Sequence, residues 1–331
     1  MNAWAKLRYL GVAQTARKYA LKAERARRRH PPPRPTPAAT RWGLRYDYLG
    51  HTFDLDRPDR WHYSPDTGRS WPWQYGPSLP VCGPAAAGDV KLIWELNRHQ
   101  FLPTLARRDP QLARAVLTDW LTQNPVPWGI NWSSAMEVGL RLIAWLETLA
   151  VAPALADVLR EPMADHARFV AHHLSADWIP RNNHLIAEAA ALACYGRACR
   201  APRFQAVGER WLAQARREQF YPSGANREQA LAYHEFVTHL FELAGQPWAP
   251  AREFLATVAQ PDGSLPPVGD SDDGHAAPTP FTRPAPARDS VAVADAGYYV
   301  IRHGGDYCLV RCGEFGLAPN YSHAHADLLS P

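Results

Sequence analysis

Near its C-terminal end the sequence reads Tyr321-Ser-His-Ala-His-Ala-Asp, with His323, His325 and Asp327 at alternate positions. In an extended strand these three side chains project to one face. Imidazoles placed that way serve as metal ligands, as a general base, or as one of each. In Asn182-Asn-His-Leu-Ile-Ala-Glu, His184 and Glu188 share a face at i and i+4, at a helix start whose free N–H groups favour an anion. A buried histidine satisfied by a glutamate is the packing alternative there. In Arg227-Glu-Gln-Ala-Leu-Ala-Tyr-His-Glu-Phe, Tyr233 shares a broad face with Gln229, Ala230 and Phe236, and by itself reads as core.

Two earlier stretches carry charge on helical patterns. Asn131-Trp-Ser-Ser-Ala-Met-Glu-Val-Gly-Leu-Arg places Glu137 and Arg141 at i and i+4, the spacing of an ordinary helix ion pair. In Asp89-Val-Lys-Leu-Ile-Trp-Glu-Leu-Asn-Arg-His-Gln-Phe, the groups Trp94, Glu95, Asn97, Arg98 and Gln100 sit on a helix that also has an apolar stripe. That pattern fits either the wall of a wet cleft or a solvated outer face.

The elements that must position these groups are mostly helical. Periodicity and breaks predict helices over about 89–107, 110–123, 131–150, 162–176, 183–199, 203–218, 227–244 and 249–259. Short connections make them a series of antiparallel hairpins. Residues 1–30 read as a basic helix, stopped by the block Pro31, Pro32, Pro33, Pro35 and Pro37, a semi-rigid spacer. Residues 41–75, rich in Trp, Tyr, Asp and Pro without a clear period, read as an irregular lead-in. After Gln260 the helical stripe ends. Beyond it, Ala296-Gly-Tyr-Tyr-Val-Ile-Arg and Asp306-Tyr-Cys-Leu-Val-Arg-Cys, parted by His303-Gly-Gly, read as a β-hairpin. Two strands are not stable alone, so they dock on the helices or open a larger β domain. The expected domains are a basic arm and linker at 1–40, a helical domain at 41–285 and a β portion at 286–331.

Composition narrows the function classes. With 46% hydrophobic residues in 331, the chain is long enough for one large core or two ordinary ones. The 13 Trp and 13 Tyr exceed what compact cores usually need and could stack on sugar faces. The formal charge of +4 favours an anionic partner, but nine of the 36 Lys and Arg lie in the first thirty residues against one acid, Glu24. No nucleic-acid motif accompanies that arm. Five cysteines without a C-x-x-C pair point to neither a disulfide frame nor a zinc knuckle. No apolar run reaches transmembrane length and the first twenty residues lack a secretory layout, so the expectation is a soluble, cytoplasmic chain.

Taken in order, Asp89-x-Lys with Trp94-Glu, Gly129-x-Asn-Trp with Glu137, Asn183-His184, Glu228-Gln229 with Tyr233-His234, Pro267-x-Gly-Asp-Ser-Asp and His323-x-His-x-Asp resemble the heparinase II/III-like polysaccharide lyases over about residues 41–331. The resemblance implies a mainly α fold, an (α/α) toroid of antiparallel hairpins followed by the first strands of an antiparallel β-sandwich. The sandwich of such proteins continues further than this sequence does. The resemblance also implies β-elimination on a uronic-acid polysaccharide, with Asn183 neutralising the uronate carboxyl group and Tyr233 and His323 as the base and acid pair. Tyrosine's ordinary value near 10 suits it as an acid. Substrate contacts are implied for His184, Trp132, Glu137, Arg98, Glu228, Gln229 and His234, and a structural zinc for His325. Relatives of this kind often act in the periplasm or outside the cell. Two other readings remain: a glycoside hydrolase on the same toroid using carboxylates such as Glu137, Glu188, Asp270 and Asp272, and a non-catalytic protein that binds or assembles acidic glycan. Oligomeric state is not legible.

Overall fold

A computed structural model describes residues 16, 17, 19–28, 30–37, 40–271 and 274–325. Asp272, Asp327 and the first fifteen residues of the basic arm lie outside the described residues. The chain divides into two compact units, residues 1–177 with 198–200, and residues 178–197 with 201–331.

In the first unit residues 19–27 form helix α1. The expected irregular lead-in is instead two short antiparallel hairpins, β1 (Arg45–Tyr48) with β2 (His51–Asp54) and β3 (Tyr63–Ser64) with β4 (Arg69–Ser70). Leu49 and Gly50 turn the first with positive φ at both positions, the geometry a two-residue hairpin turn requires. Helices follow: α2 (Val90–Asn97), α3 (Leu102–Arg108), α4 (Pro110–Gln123), α5 (Ala135–Val151) and α6 (Ala156–His173). Asp89 caps α2 by accepting from the Lys91 N–H, and Asp109 caps α4 by accepting from the Leu112 N–H ahead of Pro110. The helix expected over 89–107 is broken after Asn97, because His99 takes φ +59° and leaves the right-handed region. That strain is held by the buried His99 ring, whose Nδ1 accepts from Trp145 Nε1 at 3.0 Å. Rather than facing sugars, Trp61, Trp71, Trp120, Trp132 and Trp145 are all fully buried here.

The second unit holds α7 (Asn183–Ala198), α8 (Pro202–Gln219), α9 (Leu231–Leu243) and α10 (Ala249–Val258), then a three-stranded antiparallel sheet of β5 (Val291–Val293), β6 (Tyr298–His303) and β7 (Asp306–Arg311). The alanine-rich face of α7 lets α8 come close: a Cβ at Gly208 would lie 2.4 Å from the Ala189 carbonyl oxygen. The hairpin expected at 296–312 is present, with β5 as an added strand on β6. Val293, Tyr298 and Val300 bury against Leu231, Phe254 and Val258 of α9 and α10. At about 1.5–3 kcal/mol for each large apolar side chain buried, this docking stabilises a sheet too small to stand alone. The sheet therefore shares a unit with α7–α10.

Candidate active site

In the second unit a cluster forms from residues far apart in sequence. Asn183 opens α7, and both its backbone N–H and its side-chain amide donate to Glu228, at 2.9 and 2.7 Å. Glu228 lies in the short loop before α9, its own N–H held by Asn226 Oδ1 at 2.8 Å. Both residues are buried, Glu228 completely. Burial pushes the Glu228 carboxyl up from its ordinary value, opposed by His323 and by the two Asn183 N–H groups.

The His323 Nε2 stands 3.4 Å from the same Glu228 oxygen that Asn183 holds. The opposite ring nitrogen, Nδ1, is bonded to Asp270 Oδ2 at 2.8 Å. The Asp270 N–H also donates to the His323 carbonyl at 3.0 Å, so the two residues clamp each other through backbone and side chain. Tyr233, in the first turn of α9, lays its ring on the imidazole of His323, with centroids 4.0 Å apart and planes at 22°. Tyr233 and His323 are half-buried, so the buried Asn183–Glu228 pair leads to accessible rings.

The strand expected through His323 and His325 is absent, because turns at 318–320 and 322–323 lead through this stretch and Tyr321 and His323 both have positive φ. Period-two alternation therefore does not place the histidines together. The Asp270 carboxylate does, binding His325 Nε2 at 2.6 Å through its second oxygen. Burial raises the Asp270 carboxyl, but its hydrogen bonds to His323 and His325 more than offset this and hold it below its ordinary value. A structural zinc needs four ligands. His325 and Asp270 offer two, and among the described residues no third His, Cys, Asp or Glu joins them in a metal-sized group. Asp327, the third member of the motif, lies outside the described residues, and the zinc at His325 stands as what the resemblance implies.

The other residues expected to meet substrate are placed differently. Gln229 takes φ +58°, which ends the predicted 227–244 helix at its N-terminal side and starts α9 at Leu231. Its amide fastens the β portion: the oxygen accepts from Arg311 and from the Gly316 N–H, and the nitrogen donates to the Glu314 carbonyl at 2.9 Å. His234 is fully buried, with its ring bonded to the Asn226 N–H and the Ala251 carbonyl, so it sets the loop carrying Glu228 rather than facing a ligand. His184 is half-buried and packs on Trp178, centroids 4.8 Å apart.

Arg98, Glu137 and Trp132 belong to the first unit and its core. Arg98 pairs with Glu137 through two hydrogen bonds of 2.7 and 3.0 Å and with Glu95, all buried. The i, i+4 pair read for Glu137 and Arg141 is not the one formed. Arg141 instead donates to His166 Nε2 and to the Asn97 and Asn131 carbonyls, and its guanidinium lies over Trp120. Trp132 donates to the Asn124 carbonyl and packs on His166 and Phe169. Asp270 is the residue whose part was missed. The sequence offered it only as a hydrolase carboxylate, although Pro267-x-Gly-Asp-Ser-Asp was itself a motif.

Fold and cluster together define a class: hairpinned helices of the (α/α) toroid kind leading into antiparallel strands, with an amide, a phenol and an imidazole gathered in the second unit. The chain belongs to the heparinase II/III family, matching its N-terminal domain over residues 37–246. Among solved structures it is similar to a heparinase III, at 18% identity and a TM-score of 0.56 over 70% of this chain and 47% of that one. It is also similar to a second heparinase III with methylated lysines, at 17% identity and a TM-score of 0.50 over 78% and 51%. A heparan sulfate lyase from Pedobacter heparinus shares 19% identity over 77% and 49%, with a TM-score of 0.48. The chain spans about half the length of these structures. No curated protein matches it. Among the described residues no helix is long and apolar enough to cross a membrane.

Proposed function

We propose that this chain acts as a polysaccharide lyase that cleaves a uronic-acid-containing polysaccharide, a glycosaminoglycan by analogy with the heparinases, by β-elimination. The observation that carries the reading is the stack of Tyr233 on His323 next to the Asn183–Glu228 pair.

In the reaction a base removes the proton at C5 of the uronate, the C4–O4 bond breaks, a C4–C5 double bond forms, and an acid protonates the departing oxygen. The C5 proton is scarcely acidic while the adjacent carboxylate keeps its charge, so a donor that stabilises charge building on the carboxyl group comes first. Asn183 suits this: Glu228 accepts from both its backbone N–H and its side-chain amide and so fixes the amide beneath the accessible rings. Tyr233 and His323, stacked at the accessible edge of the cluster, suit the two proton transfers as base and acid. Asp270 on Nδ1 fixes the orientation of the imidazole, and Nε2, 3.4 Å from Glu228, sits beyond a strong hydrogen bond and is the nitrogen left to exchange a proton. Asp270 and Glu228 are thus positioning residues for His323 and Asn183.

The test is a screen of acidic polysaccharides, heparan-like, alginate-like and bacterial uronates, for products that absorb in the ultraviolet. Elimination leaves a conjugated double bond. New reducing ends without that absorbance would move the protein to the hydrolases.

A further inference from the structure

The first unit carries a second group of chemistry-bearing side chains, unrelated to the Asn183 cluster. His172 and His173 close the last turn of α6, and Glu24 comes from the helix at 19–27. Glu24 Oε2 lies 2.8 Å from His172 Nε2. One ligand atom from each of the three residues lies within 4.8 Å of the other two. Neighbouring residues on a helix diverge by about 100°, yet these two imidazoles have centroids only 4.7 Å apart, with planes at 85°. His173 is steadied by Phe169, its ring centroid 4.3 Å away.

The surroundings suit a cation with nitrogen and oxygen ligands. Two imidazoles and a carboxylate are the donor set of a zinc site that keeps a fourth position for water. The negative end of the α6 dipole lies at the same place. Arg28 holds the other Glu24 oxygen, Oε1, at 3.1 Å, which orients the carboxylate and leaves Oε2 toward the histidines, as a supporting group outside a metal site does. Arg17 and Arg25 are opposing charges; the Arg17 guanidinium is spent on the His172 carbonyl at 2.6 Å and on Asp177 at 3.8 Å.

We propose that Glu24, His172 and His173 form a binding site for a divalent transition metal, Zn²⁺ by donor type, which pins the basic helix at 19–27 to the end of α6. The metal takes the place of the Glu24–His172 hydrogen bond. Metal supply then sets how firmly the arginine-rich arm is held.

The experiment is a calorimetric titration of Zn²⁺ into the full chain, freed of metal and of any affinity tag, with Co²⁺ absorption as a second measurement. We expect one Zn²⁺ per chain with a Kd on the order of 1 μM or tighter, and a Co²⁺ complex showing ligand-field bands without the thiolate charge-transfer band that ligation by the exposed cysteines would give. Glu24→Gln and His173→Ala should each weaken binding at least about tenfold and abolish the rise in Tm that Zn²⁺ gives the parent chain. Circular dichroism of both variants without metal separates lost binding from lost folding, and Glu24→Gln, at a partly exposed position, is the safer of the two. Equal affinity in parent and variants, a thiolate spectrum, or no binding would overturn the proposal.

Discussion

Each unit contains a polar cluster built from widely separated residues, and the two clusters differ in how they end. In the first unit Arg98 sits between Glu95 and Glu137, with all three side chains no more than 6% exposed, and Arg141 is 0% exposed with its donors turned to a ring nitrogen and two carbonyls. In the second, Glu228 and Asn183 are equally enclosed, but the chain of contacts continues to His323 at 19% and Asp270 at 45% side-chain exposure. A charge network closed on all sides can position elements but cannot meet a substrate. One graded from buried anchor to open ring can do both. By this measure Arg98 and Glu137 close a buried network, and Tyr233 and His323 are the accessible groups on which the proposed lyase reading rests.

Acid should separate the units most strongly. Burial pulls His62 in the first unit down to about 3 and His99 and His166 well below their ordinary value, while in the second unit burial pulls wholly buried His234 to about 4. Each is neutral when folded and takes a proton when unfolded, so its stabilising effect is present above about 6.5 and is lost as pH falls toward the folded value. Each such group loses about 1.4 kcal/mol per pH unit in that window. With His173 also pulled to about 3 in the first unit and His239 also lowered in the second, four such groups against two give roughly a twofold steeper decline. Hydrogen exchange between pH 6.5 and 5 should show the first unit opening first; earlier loss of protection around α7–α10 would contradict the contrast.

Breaking the closed network should cost nearly as much. Arg98→Met removes the guanidinium paired with buried Glu95 and Glu137, at about 3–5 kcal/mol in urea unfolding. Replacing Glu95 and Glu137 by leucine in the same chain should recover most of it, because a well-packed apolar trio needs no pairing. Failure to recover would mean that Arg98 acts by shape and not by charge.

The open cluster should respond in the opposite manner. Tyr233→Phe keeps the stack on His323 and removes only the hydroxyl, so stability should fall by about 1 kcal/mol or less. Turnover on whichever polysaccharide the screen identifies should fall by about 10²–10⁴. Unchanged turnover would take Tyr233 out of the mechanism.

The same contrast explains what could be read from the sequence. Helices α4, α5, α7, α8 and α10 follow apolar periodicity with clear breaks, and local pattern suffices for them. The His99 break and the late start of α9 depend on positive φ at His99 and Gln229, conformations fixed by tertiary bonds to Trp145, Arg311 and Gly316. The β1–β2 hairpin was legible in principle, since Arg45-Tyr-Asp-Tyr alternates and Leu49-Gly50 turns, but Trp and Pro nearby obscured it. Asn183, Tyr233 and His323 were recognised through the ordered family resemblance; nothing local to Tyr233 distinguishes it from a core tyrosine. The Asp270 link could not be found by period, because a turn rather than a strand presents the histidines to it. Pairing of Arg98 with Glu137, 39 positions away, overrode the local i, i+4 choice for the same reason.

The most diagnostic effect should come from Glu228→Gln, which alters the anchor beneath the open cluster and the group facing His323 Nε2 while leaving the Tyr233–His323 stack. Glu228 accepts from both the N–H and the amide of Asn183. A glutamine can keep one of these contacts but turns its own NH₂ toward the other, leaving a buried donor facing a donor at about 1–3 kcal/mol. A purely structural role ends there, with turnover per folded molecule unchanged. If Glu228 fixes Asn183 for charge that builds only in the transition state, kcat and kcat/KM should fall together while KM stays near its parent value. A rise in KM with kcat intact would instead make Asn183 a ground-state contact and leave the stabilisation of the uronate carboxyl group to another residue.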